Sequence, residues 1–79
     1  MSVTVYVKRD CKACDLTKKH LDKRGVAFEE KHIDEVFHAA KARGITAAPV
    51  VQVGLEMFGG YRPDKLDQIA ATGTFISGE

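Results

Sequence analysis

The sequence predicts an α/β chain in the order β-α-β-α-β-β-α, a mixed four-stranded sheet flanked by three helices. Three stretches carry that prediction. Val3, Val5 and Val7 alternate with Thr4, Tyr6 and Lys8, which is a strand pattern. The next segment, residues 12–24, has apolar positions at helical spacing. Val50-Val51-Gln52-Val53 is an apolar run fit for a central strand, and Gly54-Leu55 turns it back into a short partner at Glu56-Met57-Phe58. A right-handed crossover makes the first two strands parallel, and the hairpin adds an antiparallel pair.

The first strand spans residues 2–8, and its alternation leaves open whether Tyr6 is covered as well. The helix over 12–24 sets Ala13, Leu16, Thr17 and Leu21 on one stripe, with Lys12, Lys18, Lys19, Lys23 and Arg24 outside it. Its cations crowd toward the C-terminal end, where the helix dipole favours them, and Gly25 suits the cap. Val26 to Ile33 reads as a second strand with Val26, Phe28 and Ile33 inward; Glu29, Glu30 and Lys31 suit a sheet edge. Asp34 is placed to cap a helix over about 35–43 with Val36, Phe37, Ala39 and Ala40 inward, ended by Gly44. Past the hairpin, Gly59-Gly60 breaks the strand and Pro63 suits the first turn of the last helix. Leu66, Ile69 and Ala70 form that helix's inner stripe and Gly73 closes it, while Thr74 to Glu79 carries no assignment.

A chain of 79 residues is expected to form one small domain, 1–79, with a compact core. Its 44% hydrophobic and 29% charged content is that of an ordinary soluble protein. A net charge of +1 gives no reason to expect nucleic acid or an acidic membrane as partner. No apolar run approaches the length that spans a bilayer, and Val3 to Val7 with Lys8 and Arg9 behind it is unlike a signal peptide. Two cysteines are too few for a secreted disulfide scaffold. A reducing cytoplasm is the expected compartment, where a lone pair is more often catalytic than structural.

That pair is Cys11-Lys12-Ala13-Cys14, set where the first strand gives way to the first helix. Cys11 then falls at the helix N-terminus and Cys14 one turn on, on the same face. Unpaired N–H groups and the helix dipole favour negative charge there, so the leading thiol is expected to ionise more readily than a free cysteine. A thiolate attacks disulfides, and the second sulfur is near enough to displace whatever the first has captured. Two other readings compete. Structural zinc takes four Cys or His ligands, and His20, His32 and His38 are scattered. A structural disulfide closing so short a loop would constrain little of the unfolded chain. C-x-x-C within β-α-β patterning points to redox work, with no metal.

Pro49 heads a strand expected to be central, where proline is usually excluded. It is either a trans strand-start proline or the rarer cis form. The chain resembles the thioredoxin superfamily, whose members carry a cis-proline facing the dithiol, and within it the glutaredoxin-like NrdH-redoxins that supply electrons to ribonucleotide reductase. Thr4-Val5-Tyr6 with Cys11 and Cys14, then Ala48-Pro49-Val50-Val51, then Gly60-Tyr61-Arg62-Pro63-Asp64 carry the resemblance, which runs to about Ile69. The last segment resembles a G-[FY]-R-P-D signature that ordinary glutaredoxins lack.

The resemblance implies a thioredoxin/glutaredoxin-like fold, a cis Ala48–Pro49 bond, and a dithiol enzyme acting as a monomer with no bound cofactor. Cys11 would attack the target's disulfide and Cys14 would resolve the intermediate. A thioredoxin reductase-like flavoprotein would restore the dithiol from NADPH. Ala48 would offer backbone groups to an extended stretch of the partner. Phe58 and Tyr61 would either rim the docking surface or sit in the core. Arg62 and Asp64 would pair to hold the last helix, and Lys12 would lend the Cys11 thiolate a nearby charge.

Departures from the family pattern bear on the electron source. Lys12-Ala13 stand where Val-Gln is common, and Ala47 where Gln is common. Phe58-Gly59 replace Trp-Ser, and the resulting Gly59-Gly60 pair resembles glutaredoxins. Lys8 matches a glutaredoxin lysine that contacts glutathione. Arg62, however, stands at the glutaredoxins' acidic position and would meet the α-ammonium of glutathione with a like charge. A protein reductase is therefore the expected donor. A glutathione-dependent glutaredoxin is the alternative, and an iron–sulfur or zinc module shared between two subunits a further one.

Overall fold

The computed structural model describes residues 3–73. The elements run β1 Val3–Val7, α1 Lys12–Lys23, β2 Glu29–His32, a 3₁₀ turn Ile33–Glu35, α2 Phe37–Ala42, β3 Val50–Val53, β4 Glu56–Gly59 and α3 Pro63–Thr72. Thr74 to Glu79, unassigned from sequence, and Ser2, expected to open the first strand, lie outside the described residues.

The sheet order is β2-β1-β3-β4. β1 pairs parallel with β2 and antiparallel with β3, and β3 pairs antiparallel with β4. The mixed sheet and its three helices are those of the thioredoxin-like arrangement expected from sequence. The register aligns Val5, Val51 and Phe58 on one face and Tyr6 with Val50 on the other. Leu21 of α1 and Leu66 and Ile69 of α3 cover the first face. Val36 and Ala40 cover the second over Val50, with Tyr6, Ile33, Ile45 and Met57 packed around them. Tyr6 is thus covered too, its hydroxyl donating to Gln52 Oε1 at 3.1 Å.

Several elements differ in detail from the sequence reading. β2 is shorter than 26–33 and wholly exposed, as an edge strand of charged residues can be. Val26 and Phe28 pack on the core from the loop before it, and Ile33 from the turn after it. Asp34 does not cap α2: His32 caps the 3₁₀ turn, its Nδ1 accepting from the Asp34 N–H at 3.2 Å. The shifted start rotates α2, so that Val36 and Ala40 face inward while Phe37 is 51% exposed and Ala39 lies outside. On α1 the buried stripe is Cys14, Thr17 and Leu21, and Leu16 is exposed. Ala70 is also exposed, leaving Leu66 and Ile69 as the buried residues of α3.

Candidate active site

The site begins at the carboxyl end of β1. Asp10 takes φ +51, in the left-handed region that aspartate tolerates better than most residues, and so turns the chain from strand into helix. Cys11 follows as the N-cap of α1, in extended conformation. Its Sγ accepts from the backbone N–H of Cys14 at 3.1 Å, one of the donors that a helix start leaves without an intrahelical partner. A backbone donor at a helix start favours negative charge on the atom it faces. Cys11 and Cys14 are joined as a disulfide with a Cα–Cα distance of 5.2 Å. The pair is asymmetric: Cys11 is half-buried, whereas Cys14 is 2% exposed.

Topology brings the other predicted residues to this end of the sheet. Tyr6 pairs with Val50, so Pro49, one residue earlier on the antiparallel strand, lies beside the end of β1. The Ala48–Pro49 bond is cis, Pro49 is buried and Ala48 half-buried. Gly60, at φ +82, donates its N–H to the Pro49 carbonyl at 2.8 Å, tying the segment after β4 to the proline stretch. Gly59 has a packing reason as well. A Cβ there would run into the Ile45 side chain and lie 2.8 Å from the Ala47 carbonyl oxygen, so only glycine lets β4 pass the proline loop so closely.

Tyr61 is half-buried and packs against the core from the rim. Phe58 is 6% exposed and belongs to the core, not to a docking rim. Arg62 donates through Nε and Nη2 to the two carboxylate oxygens of Asp64 at 3.4 and 3.2 Å. That bond holds the Asp64 carboxyl below the usual carboxylate range. Lys8 and Lys12 are exposed on either side of the turn into α1. A separate cavity of about 190 Å³ lies under α2, between Phe37 and Ala47.

Two residues escaped the sequence reading. Asp10 could have been suspected as a polar residue at the strand-to-helix junction. His20 stood out only as a poor metal ligand. It bonds Tyr61 and Asp67, which are 41 and 47 residues away, and no local pattern signals such a pairing. Among the described residues no group of three or more His, Cys, Asp or Glu side chains gathers as a metal site. No helix among them is long and apolar enough to cross a membrane.

Comparison with known proteins agrees with this geometry. The glutaredoxin family model matches residues 3–58. The glutaredoxin-like protein NrdH of Salmonella typhimurium is 36% identical over 75 residues, covering 91% of this chain and 93% of that protein. Its namesake in Lactococcus lactis is 38% identical over 71 residues, covering 86% and 99%. Among solved structures, the Escherichia coli NrdH-redoxin, described as glutaredoxin-like with a thioredoxin-like activity profile, superposes with a TM-score of 0.76. It is 36% identical, covering 87% of this chain and 95% of that one.

Proposed function

This chain belongs to the glutaredoxin family as an NrdH-type thiol–disulfide oxidoreductase, and from that premise we propose that it carries electrons from a flavoprotein reductase to protein disulfides, ribonucleotide reductase foremost. The observation that carries the reading is the asymmetry of the cysteine pair, with Cys11 half-buried at the helix cap and Cys14 shielded behind it. Cys11, as the thiolate, attacks one sulfur of the target disulfide, and the other sulfur leaves as a thiolate that takes up a proton. Cys14, losing its proton, then attacks Cys11 Sγ. The Cys11–Cys14 disulfide forms, the target's second thiol leaves, and two electrons have passed to the target. The redox group is the cysteine pair itself, and the electrons originate in NADPH held by the reductase. An extended partner segment is taken up by the backbone at Ala48, beside Pro49.

The thioredoxin-like activity profile of the Escherichia coli relative supports a reductase over glutathione as donor. So does Arg62. Orienting glutathione needs an acceptor for its α-ammonium, and Arg62, standing where the glutaredoxins have an acidic residue, cannot accept a hydrogen bond. A polar group buried without a partner costs about 1–3 kcal/mol, which bounds the effect at roughly one to two orders of magnitude in turnover.

The test is a coupled assay comparing NADPH plus thioredoxin reductase with NADPH, glutathione and glutathione reductase. Reduction through thioredoxin reductase is expected to be at least about tenfold faster, and Arg62→Asp to narrow the gap. Faster turnover of the wild type with glutathione would replace this reading by that of a glutathione-dependent glutaredoxin.

A further inference from the structure

His20 lies on α1 six residues after Cys14, about 9 Å further along the axis at the ordinary helical rise. Its ring sits between two partners contributed by distant parts of the chain. Nε2 is 2.8 Å from Asp67 Oδ1 on α3, and Nδ1 is 3.1 Å from the Tyr61 hydroxyl. The His20 and Tyr61 rings meet edge-on, with centroids 5.9 Å apart. Arg24 Nη2 reaches the same Asp67 oxygen at 3.0 Å. The hydrogen bond from His20, with the charge of Arg24 adding to it, holds the Asp67 carboxyl below its usual range, so its oxygens accept. Asp67 therefore takes a proton on Nε2, and in the tautomer that carries its proton there Nδ1 accepts the Tyr61 O–H.

Tyr61 directly follows Gly60, whose N–H is bonded to the Pro49 carbonyl, so this tyrosine starts from the end of the sheet that carries the cysteine pair. Its ring is half-buried, an amphipathic side chain of the kind that anchors protein interfaces. We propose that His20 is a positioning residue for protein partners: with its tautomer set by Asp67, it fixes Tyr61 in place as a contact for a disulfide-bearing protein chain docked beside Pro49. This rests on the reading that protein disulfides are the substrates. A tyrosine already held still loses little freedom on docking, whereas a loose one must be ordered by the partner, which weakens binding roughly 3- to 10-fold.

The experiment compares wild type, His20→Ala, His20→Gln, Tyr61→Phe and the Ala/Phe double variant. Two protein-partner readings are taken: the KM for this redoxin with NADPH and thioredoxin reductase, and the concentration dependence of insulin reduction with dithiothreitol as electron source. Turnover of hydroxyethyl disulfide and thermal melting accompany them. His20→Ala is expected to raise the KM in both protein assays about 3- to 10-fold, with kcat and hydroxyethyl disulfide turnover held. Tyr61→Phe is expected to raise the KM similarly, and the double variant no further. His20→Gln, whose amide can donate to Asp67 and accept from Tyr61, is expected to restore the wild-type KM. An unchanged KM in His20→Ala with a lowered melting temperature would make His20 a brace between helices and overturn the proposal. So would an equal loss with hydroxyethyl disulfide, or no rescue by glutamine. Wild-type protein that thioredoxin reductase does not reduce would overturn the donor reading instead, and the insulin assay would still decide on His20.

Discussion

The two faces of the sheet are covered to different depths. On one, Leu21, Leu66 and Ile69 of α1 and α3 seal Val5, Val51 and Phe58. On the other, α2 has six residues, and it sets only its N-cap Val36 and its Ala40 down on Val50, with a cavity beneath it and Phe37 half in solvent. The cysteine pair, the Tyr61 contact and the His20–Asp67 link all belong to the thicker face. The redox pair thus sits on the face whose helices are fixed to each other as well as to the sheet. Chemistry that must return the same two sulfurs to the same geometry in each cycle gains from that support.

Core truncation is the strongest way to break this comparison. Leu66→Ala, at a fully buried position on the thick face, is expected to cost about 2–5 kcal/mol. Val36→Ala on the thin face, at about 0.8 kcal/mol per buried methylene, is expected to cost about 1–2. Urea denaturation of both variants reads the difference, and equal losses would mean that the faces share the stability evenly.

A smaller effect, of opposite sign, sits inside the thick face. Thr17 is fully buried on α1, and among the described residues its Oγ1 meets no hydrogen-bond partner. Valine keeps the shape and removes the unpaired hydroxyl, so Thr17→Val is expected to gain about 1 kcal/mol, seen as a higher melting temperature. A destabilised variant would point to a water bonded to that hydroxyl.

The smallest effect concerns the exposed ends of the link between α1 and α3. The His20 hydrogen bond, with Arg24 adding to it, lowers the folded-state pKa of Asp67. Its contribution is therefore full above the usual carboxylate range and is lost as the pH falls through that range toward the lowered value. The stability gap between wild type and Asp67→Asn is expected to be largest near neutrality and to close in acid, as followed by denaturant midpoints. A gap independent of pH would remove the electrostatic part of the link.

How much of this was legible in the sequence follows the same division. α1 was legible because its signals are local: the alternating strand before it, the cysteine spacing and Gly25 after it. Its buried stripe was read with Leu16 in place of Cys14, because a cysteine was weighed as chemistry and not as the small apolar side chain it also is. α2 was read less well. The 3₁₀ turn over Ile33–Glu35 shifts the helix start and with it the phase of every later residue, so Phe37 faces outward. The cis bond at Pro49 and the Arg62–Asp64 pair were legible only through the family resemblance, since the residues alone left Pro49 either cis or trans. His20 was not, since its partners come from other elements of the chain and pairing across a tertiary contact leaves no periodic trace.

The order of attack within the cysteine pair is the central claim, and trapping tests it most directly. Oxidised target protein is mixed with reduced Cys14→Ser or Cys11→Ser, the reaction is quenched with alkylating agent, and the products are separated on a non-reducing gel. Cys14→Ser is expected to accumulate a mixed disulfide through Cys11, because the half-buried capping thiol attacks and nothing displaces the captured sulfur. Cys11→Ser, left with only the shielded thiol, is expected to trap none. A mixed disulfide formed by Cys11→Ser and not by Cys14→Ser would contradict the account.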